Sequence, residues 1–325
     1  MKDVEMKMLE RAKALLESGE VARVIGWKKG DFCYDPSPAS FETVEELDSF
    51  VYDWFCGANL SKYLIEISKK EGKTAVFLKP CDTYSFNQLV KEHRINRENV
   101  YVIAVECIGK LNIESIKAAG VSMITGVEVV GADVKVSSVY GETTLNKANV
   151  VLTKCATCNK THQVKDEEII LYERPVRNVD RFAEVAKLEA MTEEERFAFW
   201  RSQLSKCIRC NACRNVCPAC SCVKCVFDNP ASGIAAKAND DEFEEQLFHI
   251  IRAFHVAGRC TDCGECSRVC PQNIPLHLLN RKFIKDIDNF YGEYQAGETD
   301  EGKTPLTSYK ENDLEAGDVF NGEAK

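Results

Sequence analysis

The sequence predicts an α/β domain followed by a mostly helical domain, on three observations. Short apolar strands at Thr74–Leu78 and Val100–Val105 alternate with helical segments, the pattern of a largely parallel sheet. Eleven of the 17 cysteines crowd between Cys207 and Cys270. The segments that flank and separate those cysteines carry helical rather than strand periodicity.

In chain order, residues 4–18 form an amphipathic helix that Gly19 ends, and Val21 to Trp27 reads as a strand. Thr43-Val44-Glu45-Glu46 has the form of a capping box, so a helix carrying Leu47, Phe50, Val51 and Trp54 is expected after it. Strands at Thr74–Leu78, Val100–Val105 and Val150–Leu152 follow, with helices near 83–94 and 112–119 between them. Residues 127–147 alternate valine with polar residues and predict a hairpin. A second capping box, Thr192-Glu193-Glu194-Glu195, opens a helix with Phe197, Phe199, Trp200 and Leu204 that runs into Cys207. Residues 240–257 place Phe243, Leu247, Ile250, Ile251 and Phe254 at helical spacing, and Pro275 starts a last helix through Leu278, Leu279, Phe283 and Ile284. The expected division is a domain over 1–190, a second over 191–291 and an acidic tail over 292–325, disordered or ordered by a partner. From Glu293 to Lys325 the tail has nine acids and three bases. Its spaced apolar residues Tyr294, Leu306, Tyr309, Leu314, Val319 and Phe320 suit docking to a partner.

Composition excludes several classes. The net charge of −9 argues against a general nucleic-acid binder. No apolar run approaches the ~20 residues of a membrane helix, and the charged start Met1-Lys2-Asp3-Val4-Glu5 lacks the apolar core of a signal peptide. A cytoplasmic location is expected. There thiols stay reduced, and clustered ones are metal ligands more often than disulfides.

Cys207-x-x-Cys210-x-x-Cys213-x-x-x-Cys217-Pro218 is a complete iron–sulfur run, and Cys260-x-x-Cys263-x-x-Cys266-x-x-x-Cys270-Pro271 is another. A cubane cluster needs thiolates converging on a small object. One tight turn supplies three, and in two-cluster ferredoxins the fourth comes from the other run. The expectation is one 4Fe–4S cluster on Cys207, Cys210, Cys213 and Cys270, and a second on Cys260, Cys263, Cys266 and Cys217. Zinc is the alternative, but its sites usually show two pairs of ligands rather than two four-cysteine runs closed by Cys-Pro. The 42 residues between the runs, 218–259, hold a full helix, which makes this a mostly helical two-cluster ferredoxin domain. Lys206, Arg209, Arg214, Arg259 and Arg268 flank the ligands and could offset cluster charge. Cys220, Cys222 and Cys225 lack an obvious fourth ligand and read as packing or supporting thiols.

Four further cysteines follow expected strand ends: Cys81 after Leu78, Cys107 after Val105, and Cys155 and Cys158 after Leu152. The C-terminal ends of parallel strands share one edge, where ligands bind in such folds. A third 4Fe–4S cluster is therefore expected on Cys81, Cys107, Cys155 and Cys158. The competing reading is that these are small buried hydrophobes, as free cysteines often are. Cys33 and Cys56 show no such placement and read as structural.

Lys79-Pro80-Cys81-Asp82, Glu106-Cys107-Ile108-Gly109 and Cys155-x-x-Cys158, in this order, resemble the beta subunit of deazaflavin-reducing hydrogenases and the related beta subunit of formate dehydrogenases. That resemblance implies a 4Fe–4S cluster on the matching cysteines beside a flavin, FAD. The first C-terminal run with its Pro218-Ala219-Cys220-Ser221-Cys222 extension is similar to iron–sulfur subunits of anaerobic sulfite reductase and sulfhydrogenase. Together the resemblances cover residues ~70–285. The chain departs from the hydrogenase subunit in placing its ferredoxin runs after the α/β domain, and it has no Gly-x-Gly-x-x-Gly and no P-loop.

Two functions follow as expectations. The first is an iron–sulfur electron-transfer subunit of an anaerobic oxidoreductase of hydrogenase, formate dehydrogenase or heterodisulfide-reductase type, partnered by other subunits of a redox complex. The second is a flavin-containing subunit that exchanges electrons with a soluble deazaflavin or nicotinamide carrier. A regulatory iron–sulfur sensor is a third, and no DNA-binding helix pair supports it. No catalytic set stands out among the five histidines. His162, four residues after Cys158, could sit near the third cluster.

Overall fold

The computed structural model describes residues 1–159, 163–170, 179–229, 231, 242–308 and 310. Two compact units emerge, one from residues 1–83 with 95–179, the other from residues 84–94 with 180–325. The chain thus changes unit inside a helix near residue 84 and again near Asp180, ten residues before the boundary expected from the sequence.

In the first unit the strands are β1 (Arg23–Lys28), β2 (Ser37–Phe41), β3 (Thr74–Leu78), β4 (Val100–Val105), β5 (Ile124–Val130), β6 (Asp133–Ser138), β7 (Gly141–Asn146) and β8 (Glu168–Ile170). Its helices are α1 (Lys2–Glu17), α2 (Leu64–Ile67), α3 (Pro80–Lys91), α4 (Ile113–Ala118), α5 (Lys147–Val150) and α6 (Thr153–Ala156), of which α3 continues into the other unit. Five strands form one sheet in the order β2-β1-β3-β4-β8. β1, β3, β4 and β8 run parallel, and β2 is an antiparallel edge. β3 is buried at every position, as a central parallel strand covered on both faces must be. α1 buries Val4, Met8, Ala12 and Leu15, the i, i+4 stripe its sequence carries.

Three local expectations fail for physical reasons. After Thr43 the chain makes only a 3-10 turn over Glu45–Ser49, then extends at Phe50, which bridges to Lys28. The Phe50 ring lies over Gly26, where a Cβ would come within 2.6 Å of it, so packing on the sheet overrides the capping signal. Val150–Leu152 is not a strand. Val150 ends α5, and Val151 makes an isolated antiparallel bridge to Leu111. The sheet position beside β4 goes to β8, which the sequence reading did not anticipate. The 127–147 hairpin grows into a three-stranded antiparallel sheet, β5-β6-β7, with Val134 and Val136 buried against Ile116, Val121 and Val150.

The second unit is helical, with α7 (Ala183–Glu189), α8 (Glu193–Leu204), α9 (Ala212–Asn215), α10 (Glu242–His255), α11 (Glu265–Arg268) and α12 (Leu276–Tyr291). Both halves of the Thr192–Glu195 capping box are present. Thr192→Ala is expected to cost about 1 kcal/mol, lowering the calorimetric melting temperature by about 2–4 °C; an unchanged midpoint would remove the box from the account of stability. α7 packs through Val185 and Leu188 on Leu278 of α12.

α10 is turned opposite to its apolar stripe. Phe243, Ile250 and Phe254 are exposed, whereas Glu245, Phe248, His249, Arg252 and Ala253 are buried. Beyond Gly292 the chain stays attached to its own unit: Gln295 accepts a hydrogen bond from Arg181, Ala296 is buried, and Gly297 (φ 77) lies where a Cβ would strike the Tyr84 carbonyl. His162, Tyr309, Leu314, Val319 and Phe320 lie outside the described residues.

Candidate metal centres

The two C-terminal runs fold into the same backbone. Arg209 (φ 53) and Asn211 (φ 61) are left-handed in the first loop, and Asp262 (φ 58) and Gly264 (φ 66) are left-handed at the matching positions of the second. Three of these four lack glycine's freedom, and a left-handed L-residue costs roughly 1–2 kcal/mol. Left-handed residues of this kind help turn backbone amides toward an anion at many Fe–S sites. The Arg209 amide donates to the Cys207 Sγ at 3.4 Å. From Asn211 and Gly264 the short helices α9 and α11 start, each burying the third cysteine of its run, Cys213 and Cys266.

Cys207, Cys210, Cys213 and Cys270 line one cavity, with Phe248, His249 and Ile274. Cys270, from the far run, thus lines the same cavity as three cysteines of the near run. Cys217 in turn packs with Val256 beside Cys220 and Cys260. Burial raises the Cys260 thiol well above its usual range, with the charges of Asp262, Cys217 and Cys263 adding to it. Cys217 goes the other way, down to about 6, through the Cys220 side chain first and the Arg252 charge after it. The first set lines one cavity and receives the Arg209 amide, and the donor set is thiol throughout, which fits an iron–sulfur cluster.

Matched positions in the two loops are pinned differently. Asp262 accepts from the Arg281 Nε at 2.7 Å, and Arg281 is 1% exposed. Arg209 instead stacks on Phe248, its guanidinium carbon 4.3 Å from the ring centre, and pairs with Glu245 at 3.7 Å. The residues just before the second run are tied down as well. Arg259 donates to Glu92 at 2.7 Å and 2.5 Å, and Glu92 also accepts from Ser221, between Cys220 and Cys222. Ser85 and Thr261 hydrogen-bond at 2.9 Å. Ser85 of α3 and Glu92 just after it thus brace the start of the second run and the segment that follows the first.

In the first unit, Cys81 begins α3 just beyond β3, and Cys107 lies just beyond β4. Cys155 is on α6 and Cys158 follows it, so these two come after a short helix beyond the Leu111–Val151 bridge, not after a strand end. The charges of Cys107 and Cys158 act on Cys155, and that of Cys158 acts on Cys81. Burial is the main reason the Cys155 thiol rises to about 12. Lysines surround the group. Lys79 is 1% exposed, ion-paired to Asp82 at 2.7 Å and bonded to the Ala58 carbonyl at 2.7 Å. Lys110 is equally buried and donates to the Asp53 carbonyl at 2.6 Å, its ammonium 3.8 Å from the Tyr52 ring centre. Lys154 donates to the Gly57 carbonyl at 3.1 Å. A concentration of buried cations around four thiols suits an anionic occupant.

The flanking cations expected to face the clusters are largely committed elsewhere: Arg214 to Asp228, Arg259 to Glu92 and Arg268 to Glu265. Two further groups face the C-terminal cysteines: His249, expected from its place on α10 to be a packing or surface residue, and Arg252, which the sequence did not single out. His249 is 1% exposed with neither ring nitrogen bonded, and burial drives its pKa down to about 3, so it is neutral. Arg252 is 1% exposed with no bonded guanidinium nitrogen. Both sit on the polar side of α10. A buried polar face opposite an exposed apolar one is the signal that could have found them.

The 4Fe–4S dicluster domain family matches residues 203–274. The F420-dependent formate dehydrogenase subunit beta of Methanocaldococcus jannaschii is 23% identical over 85% of this chain and 88% of its own. The F420-dependent formate dehydrogenase 1 subunit beta of Methanococcus maripaludis is 27% identical over 90% of this chain and 91% of its own. A chain of the F420-reducing NiFe hydrogenase complex from Methanosarcina barkeri, solved with xenon, aligns at 17% identity and a TM-score of 0.35, over 47% of this chain and 62% of that one. The chain carries 4Fe–4S chemistry in its C-terminal part. It is an iron–sulfur electron-transfer protein related along most of its length to beta subunits of oxidoreductases. Among the described residues no helix is long and apolar enough to cross a membrane.

Proposed function

We propose that the chain is the subunit of a cytoplasmic multi-subunit oxidoreductase that carries electrons on three 4Fe–4S clusters. Cys207, Cys210, Cys213 and Cys270 hold the first, Cys260, Cys263, Cys266 and Cys217 the second, and Cys81, Cys107, Cys155 and Cys158 the third. The observation that carries the reading is the cavity that gathers Cys270 with the three cysteines of the other run. When bound, the clusters supply reversible one-electron chemistry without proton transfer. The chain's own residues supply thiolates, backbone amides and buried cations that favour added negative charge.

The names of the two relatives support a deazaflavin as the soluble partner carrier. A deazaflavin moves a hydride, two electrons with a proton. Exchange with one-electron clusters then calls for a flavin between them, which supports FAD in the first unit. Partner subunits are supported by the same names and by the exposed apolar residues Phe243, Ile250 and Phe254 on one side of α10.

Anaerobic purification of the native complex, with iron and flavin counted per chain, tests this. About twelve irons, four per cubane, and one FAD are expected. About eight irons would remove the third cluster, and about four would overturn the paired C-terminal set. A full iron count without flavin would leave an electron-transfer subunit with no hydride exchange.

A further inference from the structure

Arg252 stands out among the buried groups of the second unit. It lies on the inward face of α10, four residues after Phe248 and four before Val256. Phe248 packs with Cys213 and Cys266, whereas Val256 packs with Cys217 beside Cys260. Residues four apart on a helix share a face, so Arg252 projects between the thiols of the two runs. Its side chain is 1% exposed, yet Nε and both terminal nitrogens have no hydrogen-bond partner. Nor does it form an ion pair among the described residues. Two carboxylates of the cysteine-bearing unit, Glu245 and Asp262, pair instead with Arg209 and Arg281. His249, one turn away, is neutral, and the Asn280 amide points to the Cys266 Sγ at 3.8 Å. Burial disfavours the Arg252 charge, but Cys266, Cys213, Cys217 and Cys220 all act to hold it.

A permanently charged group with five donors is not buried without acceptors. The acceptors must be what the surrounding cysteines bind. We infer that Arg252 is a positioning residue shared by the two C-terminal clusters, its guanidinium donating hydrogen bonds to sulfur atoms of both and holding both reduction potentials up. The inference rests on the ligand sets proposed above. One-electron reduction adds one negative charge to a cluster and changes no bond, so a fixed cation beside it favours the reduced form. Because one guanidinium serves both sites, its loss should move both potentials in the same direction. A flanking surface arginine would move one or neither.

The test uses the full chain with clusters assembled anaerobically, as wild type, Arg252→Met and Arg252→Lys. Iron content and EPR-monitored redox titration are read for each. Methionine fills similar apolar volume without charge. Both midpoints in Arg252→Met should fall by at least a tenfold change in the reduction equilibrium, 59 mV for a one-electron couple. Arg252→Lys keeps a charge on a shorter, single-headed group and should restore one cluster at most. Both clusters present with both midpoints unmoved in Arg252→Met overturns the inference, and movement of only one overturns the shared role. If Arg252→Met does not hold its clusters, Arg252→Lys decides: two unmoved midpoints overturn the proposal. Wild-type protein that lacks the paired clusters by iron count would instead overturn the ligand assignment.

Discussion

Cys270→Ala is expected to remove the same EPR signal as Cys210→Ala, although the two residues belong to different cysteine runs. Cys217→Ala should match Cys263→Ala in the same way. The reason is geometric. Cys270 lines the cavity of Cys207, Cys210 and Cys213, and Cys217 packs beside Cys260. Each single variant should lose about four irons, one cubane, from the full chain. The effect on stability should also be large, because free energy of metal binding to the folded chain is folding free energy. The two loops touch through α9 and α11 and share the core of Leu204, Phe248 and Leu276. Loss of either cluster should therefore lower the melting temperature of the whole second unit. Crossed ligation would be wrong if Cys270→Ala gave the spectrum of Cys263→Ala.

The cysteine runs were readable because their chemistry is local. Two intervening residues bring thiolates round one turn, and the spacing announces this without help from the rest of the chain. The left-handed positions were partly visible: Gly264 signals one, Asn211 and Asp262 are of types that tolerate that conformation, and Arg209 carries no such mark. β3 and β4 were placed to the residue because a central parallel strand is a short, continuous apolar run. Val150–Leu152 has the same composition but forms no strand, since neighbours decide pairing and β8 takes the position beside β4. α10 shows the limit most clearly. Its helical period was correct, but its apolar side faces outward, with Phe243 and Phe254 exposed and Arg252 buried. Periodicity finds a helix and its two faces. The burial of an apolar face is only a default, and here the inner side of the helix carries Arg252 and His249 beside the cysteines instead. In the first unit Cys81 and Cys107 lie just beyond strand ends as expected, while Cys155 lies on a short helix and Cys158 just after it, a placement the sequence did not disclose.

Replacing Lys79 by Met should disable the first unit more than any other change near its cysteines. Lys79 and Asp82 have side chains 2% and 0% exposed and meet at 2.7 Å. The ammonium also donates to the Ala58 carbonyl and lies 4.5 Å from the Trp27 ring centre. Burial weakens its charge, but Asp82 and the Cys81 sulfur outweigh that and keep its pKa above the ordinary lysine value. Asp82 in turn accepts from the Lys79 amide at 3.3 Å and from the Cys81 Sγ at 3.5 Å, and its carbonyl accepts from the Ser61 hydroxyl at 2.6 Å. Lys79-Pro80-Cys81-Asp82 is thus a first turn closed by its own ion pair and anchored to Ala58, Ser61 and Trp27, and it presents Cys81. Lys79→Met leaves a buried carboxylate without its partner, at an expected cost of about 3–5 kcal/mol. Iron should fall by about four per chain, with both C-terminal EPR signals retained. The double variant Lys79→Met, Asp82→Leu separates charge from packing. Removing both members of a buried pair is often near neutral where removing one is not. Urea unfolding should therefore show the double variant more stable than Lys79→Met alone. Costs that simply add would mean that the pair does not stabilise the turn as a unit.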